Sequence, residues 1–538
     1  MTKRKKQIWI VLGLIMVLQF IAASYFCMQK QGYHYDEYYS YYSSNVTYGL
    51  VPTDREWKPT EEIKSEFMAL PGEGFRYDVV KLMQTFDVHP PLYYYILHTV
   101  CSIFPGVFSK WIGLSINLIC FLLAFVLLYC IGNTCKKEAS LGLWACLLFG
   151  FQPGVISGIT FIRMYMLLTV WCFLLVLWHL KAMETKKWVG TWQCISLFVL
   201  VFLGFMTHYY FAVFLFFVAA FTCLTVWLIE KRFFTTLWYG LTVILGMITG
   251  VLYYPACVSH IFRGYRGPEA IAEFGSVSNT GMRIGFFGEL LNRFTFGGSL
   301  YLILLLILVL ALTCIFFQKT KTAKLGNFRD HWENYKKLYF LLFICAGYFL
   351  IVAKTALLNA EEANRYELPV YGLIPLVVLW ILDTFWEKIL AYFPLREGKV
   401  RIQEMGLWAT TAIIVICQLF ALSKGEVQFL YPKDKDQVAF AKEHQDSTVL
   451  YLYSPNNQWM IWDEAEELMQ YQEIYFVNLA DTSPIQDKKL LEAKEIYVYA
   501  SRMEEAMRVM EELEKENPAL SELQKVRELL YCDLYVLK

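Results

Sequence analysis

Charge is what this sequence has least of. Asp, Glu, Lys and Arg make up 18% of the 538 residues, against roughly a quarter in soluble domains, which excludes an ordinary soluble enzyme. Neither sign is in excess. Lys and Arg number 48, Asp and Glu 48, and the formal net charge is zero, so no nucleic-acid partner is expected. The 14 cysteines include no CxxC pair. Cys120, Cys146, Cys172 and Cys223 sit inside apolar runs, where cysteine serves as a small apolar filler, and no structural disulfides are expected. No internal repeat is visible. What the chain has instead is apolar length. Hydrophobic residues reach 57%, and aromatics reach 17%, as expected where Trp and Tyr form belts at membrane interfaces.

Lys3-Arg4-Lys5-Lys6 precedes an apolar run from Ile8 to Ser24. A basic stretch before an apolar core also describes a signal peptide. No small-x-small cleavage site follows, and Phe26 and Met28 prolong the run, so the reading is an uncleaved span with a cytoplasmic N-terminus. The loop after it, Gln29 to Thr85, is then extracytoplasmic. Pro, Gly and acidic residues between Pro52 and Gly74 suggest an irregular lobe, and Tyr77 to Phe86 a short helix. Leu92 to Phe104 is too short to span, since about 20 residues are needed, and reads as a juxtamembrane helix started by Pro90 and Pro91.

Ten further spans follow. They run from Trp111 to Gly132, Leu141 toward Ile162, Met164 to Leu180, Trp192 to Met206, and Phe211 to Ile229. The rest are Leu237 to Ala256, Leu300 to Phe317, Leu338 to Ala356, Leu368 to Trp386, and Leu407 to Leu422. Threading all eleven puts Lys136-Lys137, Lys186-Lys187, Lys231-Arg232, Lys336-Lys337 and Lys388 inside, with Lys319, Lys321, Lys324, Arg396, Lys399 and Arg401. Each alternate loop is basic, as the positive-inside rule demands. The fold class expected is therefore a polytopic α-helical membrane protein of about 11 spans with a C-terminal soluble α/β domain. Residues 1–423 form the transmembrane domain, with 29–91 as its first extracytoplasmic loop, and 424–538 form an extracytoplasmic domain. In that domain Thr448–Tyr453, Ile474–Leu479, Ile496–Ala500 and Leu534–Leu537 read as strands. Met503–Glu514 and Ser521–Leu530 read as amphipathic helices. It carries no Gly-rich phosphate loop and no Cys/His cluster, so its default role is structural or partner-docking.

The residues able to do chemistry fall at the outer ends of spans. Asp36 and Glu37 follow the first span, and Asp87 and His89 precede the juxtamembrane helix. Arg163 and Tyr165 open the fourth span, His208 and Tyr209 the sixth. Arg263 and Arg266 follow the seventh, Lys354 ends the ninth, and Arg365 and Tyr366 precede the tenth. A few acids and a set of cations on one surface suit a phosphate-bearing lipid substrate. Each also has a plain reading. Asp36-Glu37 reads equally as a solvated interface pair, and Arg163, Arg365 and Lys354 as snorkelling side chains. His208 reads equally as a belt residue, and the Asn45-Val46-Thr47 sequon as chance. Co-location of the groups favours function.

Asp36-Glu37 after the first span and Asp87-Val88-His89-Pro90-Pro91-Leu92-Tyr93-Tyr94 resemble the signatures of family 39-like glycosyltransferases of the GT-C fold, the protein O-mannosyltransferases and aminoarabinose transferases. Phe161-Ile162-Arg163-Met164-Tyr165, Thr207-His208-Tyr209-Tyr210-Phe211 and Asn364-Arg365-Tyr366-Glu367-Leu368-Pro369 resemble further blocks of bacterial members. The resemblance covers Ile8 to Trp386. It implies a plasma-membrane enzyme of the EC 2.4 class, which takes a sugar from a polyprenyl-phosphate donor to an acceptor hydroxyl by a single inverting displacement. The acceptor is a protein, a glycopolymer or a lipid. Asp36 resembles the family's base, with Glu37 and Asp87 as further catalytic candidates. The donor phosphate falls to His89, Arg163, Tyr165, Arg266, Lys354, Arg365 and Tyr366, and the cavity to His208 and Tyr209. His89 stands where the aminoarabinose transferases have lysine. No cofactor is implied beyond a divalent metal, for which Asp87 and His89 are the candidate ligands. Two other function classes stay open: a lipid-linked sugar flippase, which would want charges deep in its spans, and a non-catalytic cell-envelope assembly protein.

Overall fold

The computed structural model describes residues 3–45, 53–136, 140–264, 266–319, 328–393, 399–456 and 458–538. Val46, Thr47, Lys137, Lys321, Lys324 and Arg396 lie outside the described residues. The chain divides into two compact units. One comprises Met1–Cys27, Gln84–Tyr93 and Gly113–Gln428; the other comprises Met28–Met83, Tyr94–Ile112 and Phe429–Lys538.

The first unit is the helical one of a multi-pass membrane protein. Among the described residues, eight helices are long and apolar enough to cross a membrane, or ten if each of two bent pairs is one span. The expected count of eleven resolves into these ten and one short helix. Thr191–Phe205 has 15 residues, about 22 Å of helix, against a hydrocarbon core of about 30 Å. The bent pairs are Leu141–Phe149 with Pro153–Thr160, at 58°, and Ala360–Tyr371 with Leu373–Leu390, at 57°.

Proline explains both breaks. Pro153 has no N–H to give the carbonyl of Phe149; the Gln152 N–H takes that carbonyl instead, at 3.3 Å. Pro375 likewise leaves the Tyr371 carbonyl without its helical donor. The Gln152 side chain supplies one, Nε2 to Tyr371 O at 3.0 Å. The two broken spans are thus bonded to each other at their breaks. Gly154 and Gly158 make the contact close, because a Cβ on either would run into Tyr371 or Leu368.

The stretch after the seventh expected span, read from sequence as a loop, is helical. It forms Ala256–Phe262, Arg266–Gly275 and Thr280–Phe296.

The second unit is built on a six-stranded sheet. Its strands are β1 Glu56–Pro59, β2 Thr448–Tyr453, β3 Glu473–Asn478, β4 Ile496–Ala500, β5 Leu523–Glu528 and β6 Asp533–Leu537, in the order β1-β3-β2-β4-β6-β5. β2 runs parallel to β3 and β4; the other pairs are antiparallel. Leu450, Leu452, Val498 and Tyr535 pack with Ala506, Val509 and Leu513 of the Met503–Glu514 helix to form its core. Four strands and that helix match the sequence expectation. Two elements differ. β1 lies in the stretch expected to be irregular. Ser521–Leu530, expected as a helix, contains the edge strand β5. Its apolar residues Leu523, Val526, Leu529 and Leu530 recur at helical spacing, and pairing with β6, through an irregularity at Lys525/Arg527, overrides that local preference.

Candidate functional site

Chemistry-bearing side chains gather in two groups, one in each unit.

In the helical unit the two broken spans end on the arginines. The Pro153–Thr160 helix runs into Phe161 and Arg163, and Asn117 holds that turn by giving Nδ2 to the carbonyls of Ile159 at 3.1 Å and Phe161 at 2.6 Å. A Cβ on Gly113 would meet Ile162, so only glycine lets the 110–135 helix approach. Arg365 stands in the 3-10 helix Ala360–Glu367, whose Tyr366 carbonyl accepts from the Tyr348 hydroxyl at 3.0 Å. Arg163 is 2% exposed and Arg365 3%. The Arg365 guanidinium lies over Phe161 at 5.2 Å and Tyr366 at 5.1 Å, with Glu362 Oε2 at 3.7 Å.

Both cations bear on a pair of histidines. His89 and His208 have ring centroids 5.2 Å apart, and His208 is flanked by Tyr165 at 5.4 Å and Tyr210 at 5.3 Å. Tyr366 closes the ring of aromatics, 5.7 Å from both Tyr165 and Tyr210. Burial, then the charges of Arg163 and Arg365, hold His208 down to about 3. Burial, Arg163, His208, His260 and Arg365 hold His89 well below the imidazole range. Both rings are neutral at physiological pH. His208 Nδ1 accepts the N–H of Tyr210 at 3.0 Å, which assigns the proton to Nε2. Among the described residues, that buried N–H and the buried Nδ1 of His89 find no partner. A buried donor left unsatisfied costs about 1–3 kcal/mol. The arrangement therefore has places for an anion's oxygens: two guanidiniums for its charge and a neutral N–H for direction.

Beside this group, Tyr209 Oη and His260 Nδ1 are 2.9 Å apart, and His260 Nε2 lies 3.3 Å from the Thr85 carbonyl. Burial, then Tyr254, Cys257 and Asp87, push the Tyr209 hydroxyl well above its usual range. Among the described residues no group of three His, Cys, Asp or Glu side chains stands at metal-holding spacing. Asp87 and His89 thus gather no third ligand. Two expected phosphate ligands have partners within the protein. Lys354 Nζ donates to Asn279 Oδ1 at 2.9 Å, Thr280 Oγ1 at 3.0 Å and the Ser276 carbonyl. Arg266 pairs with Glu269 at 3.2 Å.

In the other unit Asp36 and Glu37 open the helix Tyr35–Asn45, and its start decides their roles. His34 precedes the helix. Its Nδ1 accepts the Asp36 N–H at 3.0 Å, and Glu37 Oε2 accepts the His34 N–H at 2.6 Å. That is the reciprocal arrangement of a capping box, with Glu37 at the third helical position. Glu37 also receives Lys30 Nζ at 2.8 Å, and Lys30 donates onward to the Phe429 carbonyl at 2.7 Å. Asp36, at the second position, keeps a side chain 23% exposed.

Carboxylates crowd around it. Burial, then Asp434 and Asp36, push Asp463 up to about 7. Burial, then Asp434, lifts Glu466 to about 7, and burial lifts Asp434 to about 6. Gly32 belongs to the same packing, because a Cβ there would strike the Asp434 carboxylate.

Sequence reasoning missed His260 and these C-terminal acids. With only eight histidines in the chain, one placed just after a span was a usable signal for the first. Nothing in the local sequence marks Asp434, Asp463 and Glu466, which meet Asp36 only through the fold.

No protein-family model matches the chain, and no curated protein matches it in sequence. Solved structures do. The crystal structure of ArnT from Cupriavidus metallidurans bound to undecaprenyl phosphate is similar with a TM-score of 0.52 at 9% identity, covering 98% of this chain and 98% of that one. The same protein in the apo state gives a TM-score of 0.51 at 9% identity, covering 100% of this chain and 98% of that one. At this identity the likeness shows the fold, the GT-C architecture that the motifs imply.

Proposed function

We propose that this protein transfers a sugar from a polyprenyl-phosphate-linked donor to an acceptor hydroxyl at the outer face of the plasma membrane, with inversion at the sugar carbon. One observation carries the reading. The buried Nε2–H of His208, held neutral beside the buried guanidiniums of Arg163 and Arg365, has no acceptor among the described residues. A lipid phosphate supplies one. The arginines carry its charge, and Arg suits the two-pronged grip that phosphate offers. As the donor's C–O bond breaks, negative charge grows on the departing phosphate, and fixed cations stabilise it. The undecaprenyl phosphate in the similar ArnT structure supports a lipid phosphate as the ligand class.

The other half of the reaction needs a base. As the acceptor oxygen bonds to the sugar carbon, its proton must go to a carboxylate. We assign Asp36 to this step, because Glu37 is committed to Lys30 and to the helix start.

The test is purified protein in liposomes, given radiolabelled polyprenyl-phosphate sugars and membrane fractions. Label moving from the donor to a protein, polymer or lipid pool is expected, and the receiving pool identifies the acceptor. Donors that neither bind nor lose sugar would overturn the proposal. The outer-face assignment is tested separately by a cysteine at the exposed Ser501. It should react with an impermeant reagent in intact cells, and labelling only after lysis would refute it.

A further inference from the structure

The helices Ala256–Phe262 and Arg266–Gly275 carry an apolar surface that the transferase reading does not use. Phe262, Ile271, Phe274 and Val277 are each more than half exposed, and no residue of Arg266–Gly275 is buried. That helix is two-sided. Arg266, Glu269 and Glu273 recur at i, i+3 and i+7 on one side, and Ile271 and Phe274 lie at i and i+3 on the other. Leaving one such side chain in water rather than burying it forgoes about 1.5–3 kcal/mol.

The surroundings fix where this surface sits. Two residues separate the end of the Phe233–Tyr253 span from Ala256, and the two elements touch. Its exposed residues Ile248 and Leu252 continue the apolar surface toward Val258 and Phe262. On the other side, Arg266–Gly275 packs against the helix ending at Thr355. That helix end is clamped. Lys354 holds the turn after Gly275 through Ser276, Asn279 and Thr280. Arg283 gives Nε to the Ala353 carbonyl at 2.8 Å and also binds the Ala356 carbonyl. Its Nη1 lies 3.4 Å from Glu273. The segment is therefore fixed at the level where two spans leave the membrane, with Glu273 turned to Arg283 and Asn279.

We infer that these two helices lie in the membrane–water interface, with Phe262, Ile271, Phe274 and Val277 in the acyl boundary and Arg263 and Arg266 among the lipid headgroups. Continuity with the lipid-facing spans selects a bilayer over a partner protein, and an apolar face flanked by arginine is the pattern of interfacial helices. Arg266 then meets bulk-lipid phosphate rather than the donor's. The inference is independent of the transferase reading.

The test uses the full chain in nanodiscs of phosphatidylethanolamine and phosphatidylglycerol. Phe274→benzoylphenylalanine is expected to give lipid adducts on irradiation, and Glu269→benzoylphenylalanine to give none. A lipid-soluble diazirine applied to the unaltered protein should label the peptides bearing Phe262, Ile271 and Phe274, which decides the matter should a variant misfold. Peptides free of lipid label, or cross-links from Phe274 to a second copy or another protein, would overturn the inference.

Discussion

Glu37 Oε2 and Lys30 Nζ stand 2.8 Å apart, and neither side chain is exposed to solvent. The pair separates two adjacent carboxylates that the sequence presents as equals. Glu37 neutralises a buried ammonium and caps a helix, while the Asp36 side chain stays 23% exposed.

Opposite phenotypes are expected. Asp36→Asn keeps shape and loses basicity, so transfer should fall roughly 10²- to 10⁴-fold with thermal stability unchanged. Glu37→Gln leaves Lys30 buried without its counter-charge, a loss of about 3–5 kcal/mol when a buried pair is broken. It should appear as poor folding. Transfer rate and melting temperature, measured together, decide. A stable, inactive Glu37→Gln beside an active Asp36→Asn would reverse the assignment.

The arginines should govern donor affinity. Arg163→Ala or Arg365→Ala removes a charge-assisted contact worth about 1.5–3 kcal/mol, roughly a 10- to 150-fold weaker Kd for a polyprenyl-phosphate sugar. Lys354→Met should leave that Kd alone and lower the melting temperature, because its ammonium is spent on Asn279, Thr280 and Ser276. Equilibrium binding in detergent separates the two. A Lys354 variant that binds donor as weakly as the arginine variants would place Lys354 on the phosphate.

Gln152 is expected to matter without touching substrate. In Gln152→Leu the Tyr371 carbonyl, freed by Pro375, loses the Gln152 side-chain donor, at a cost of about 1–3 kcal/mol. Both arginine turns hang from these breaks, so donor affinity should fall along with stability. Unchanged melting in nanodiscs would show that the breaks do not depend on the bond.

The acid group around Asp36 gives a signed pH dependence. Asp463 and Glu466, raised to about 7, and Asp434, raised to about 6, bind protons more tightly folded than unfolded. Their contribution is complete below pH about 4 and is lost as pH rises through 6 to 7. Stability should fall over that window, and Asp463→Asn should flatten the fall and stabilise the protein at pH 8. The neutral histidines act in the opposite sense. An imidazole held at about 3 costs stability as pH drops below its ordinary value near 6.5. Comparing wild type with the Asp463 variant, by melting temperature from pH 5 to 8, cancels that term. Parallel curves would refute the acid-group account.

Much of this was legible in the sequence because it rests on local chemistry. Apolar runs marked the spans, short apolar and aromatic runs marked β2, β3, β4 and β6, and the Arg-Tyr blocks marked the turns that carry Arg163 and Arg365. The remainder depends on distance. The pattern Ser521–Leu530 has helical spacing, and only pairing with β6 makes it a strand. Lys354 looks like any cation near a helix end until Ser276, Asn279 and Thr280 surround it. Asp434 and Asp463 acquire meaning from Asp36, which no window of sequence contains.

The pairing of β1 with β3 imposes an order of assembly. Asp54, just ahead of β1, accepts the Asn478 N–H at 2.8 Å across 424 residues of chain. At translation rates of about 5–20 residues per second, that partner arrives about 20 to 85 seconds after β1 has been made. Throughout that interval the helical unit is being threaded into the bilayer while β1 waits as an open edge. The fold of the Asp36 segment is thus timed by the ribosome, and the carboxylate group around it assembles only once the strands beyond the last span have emerged.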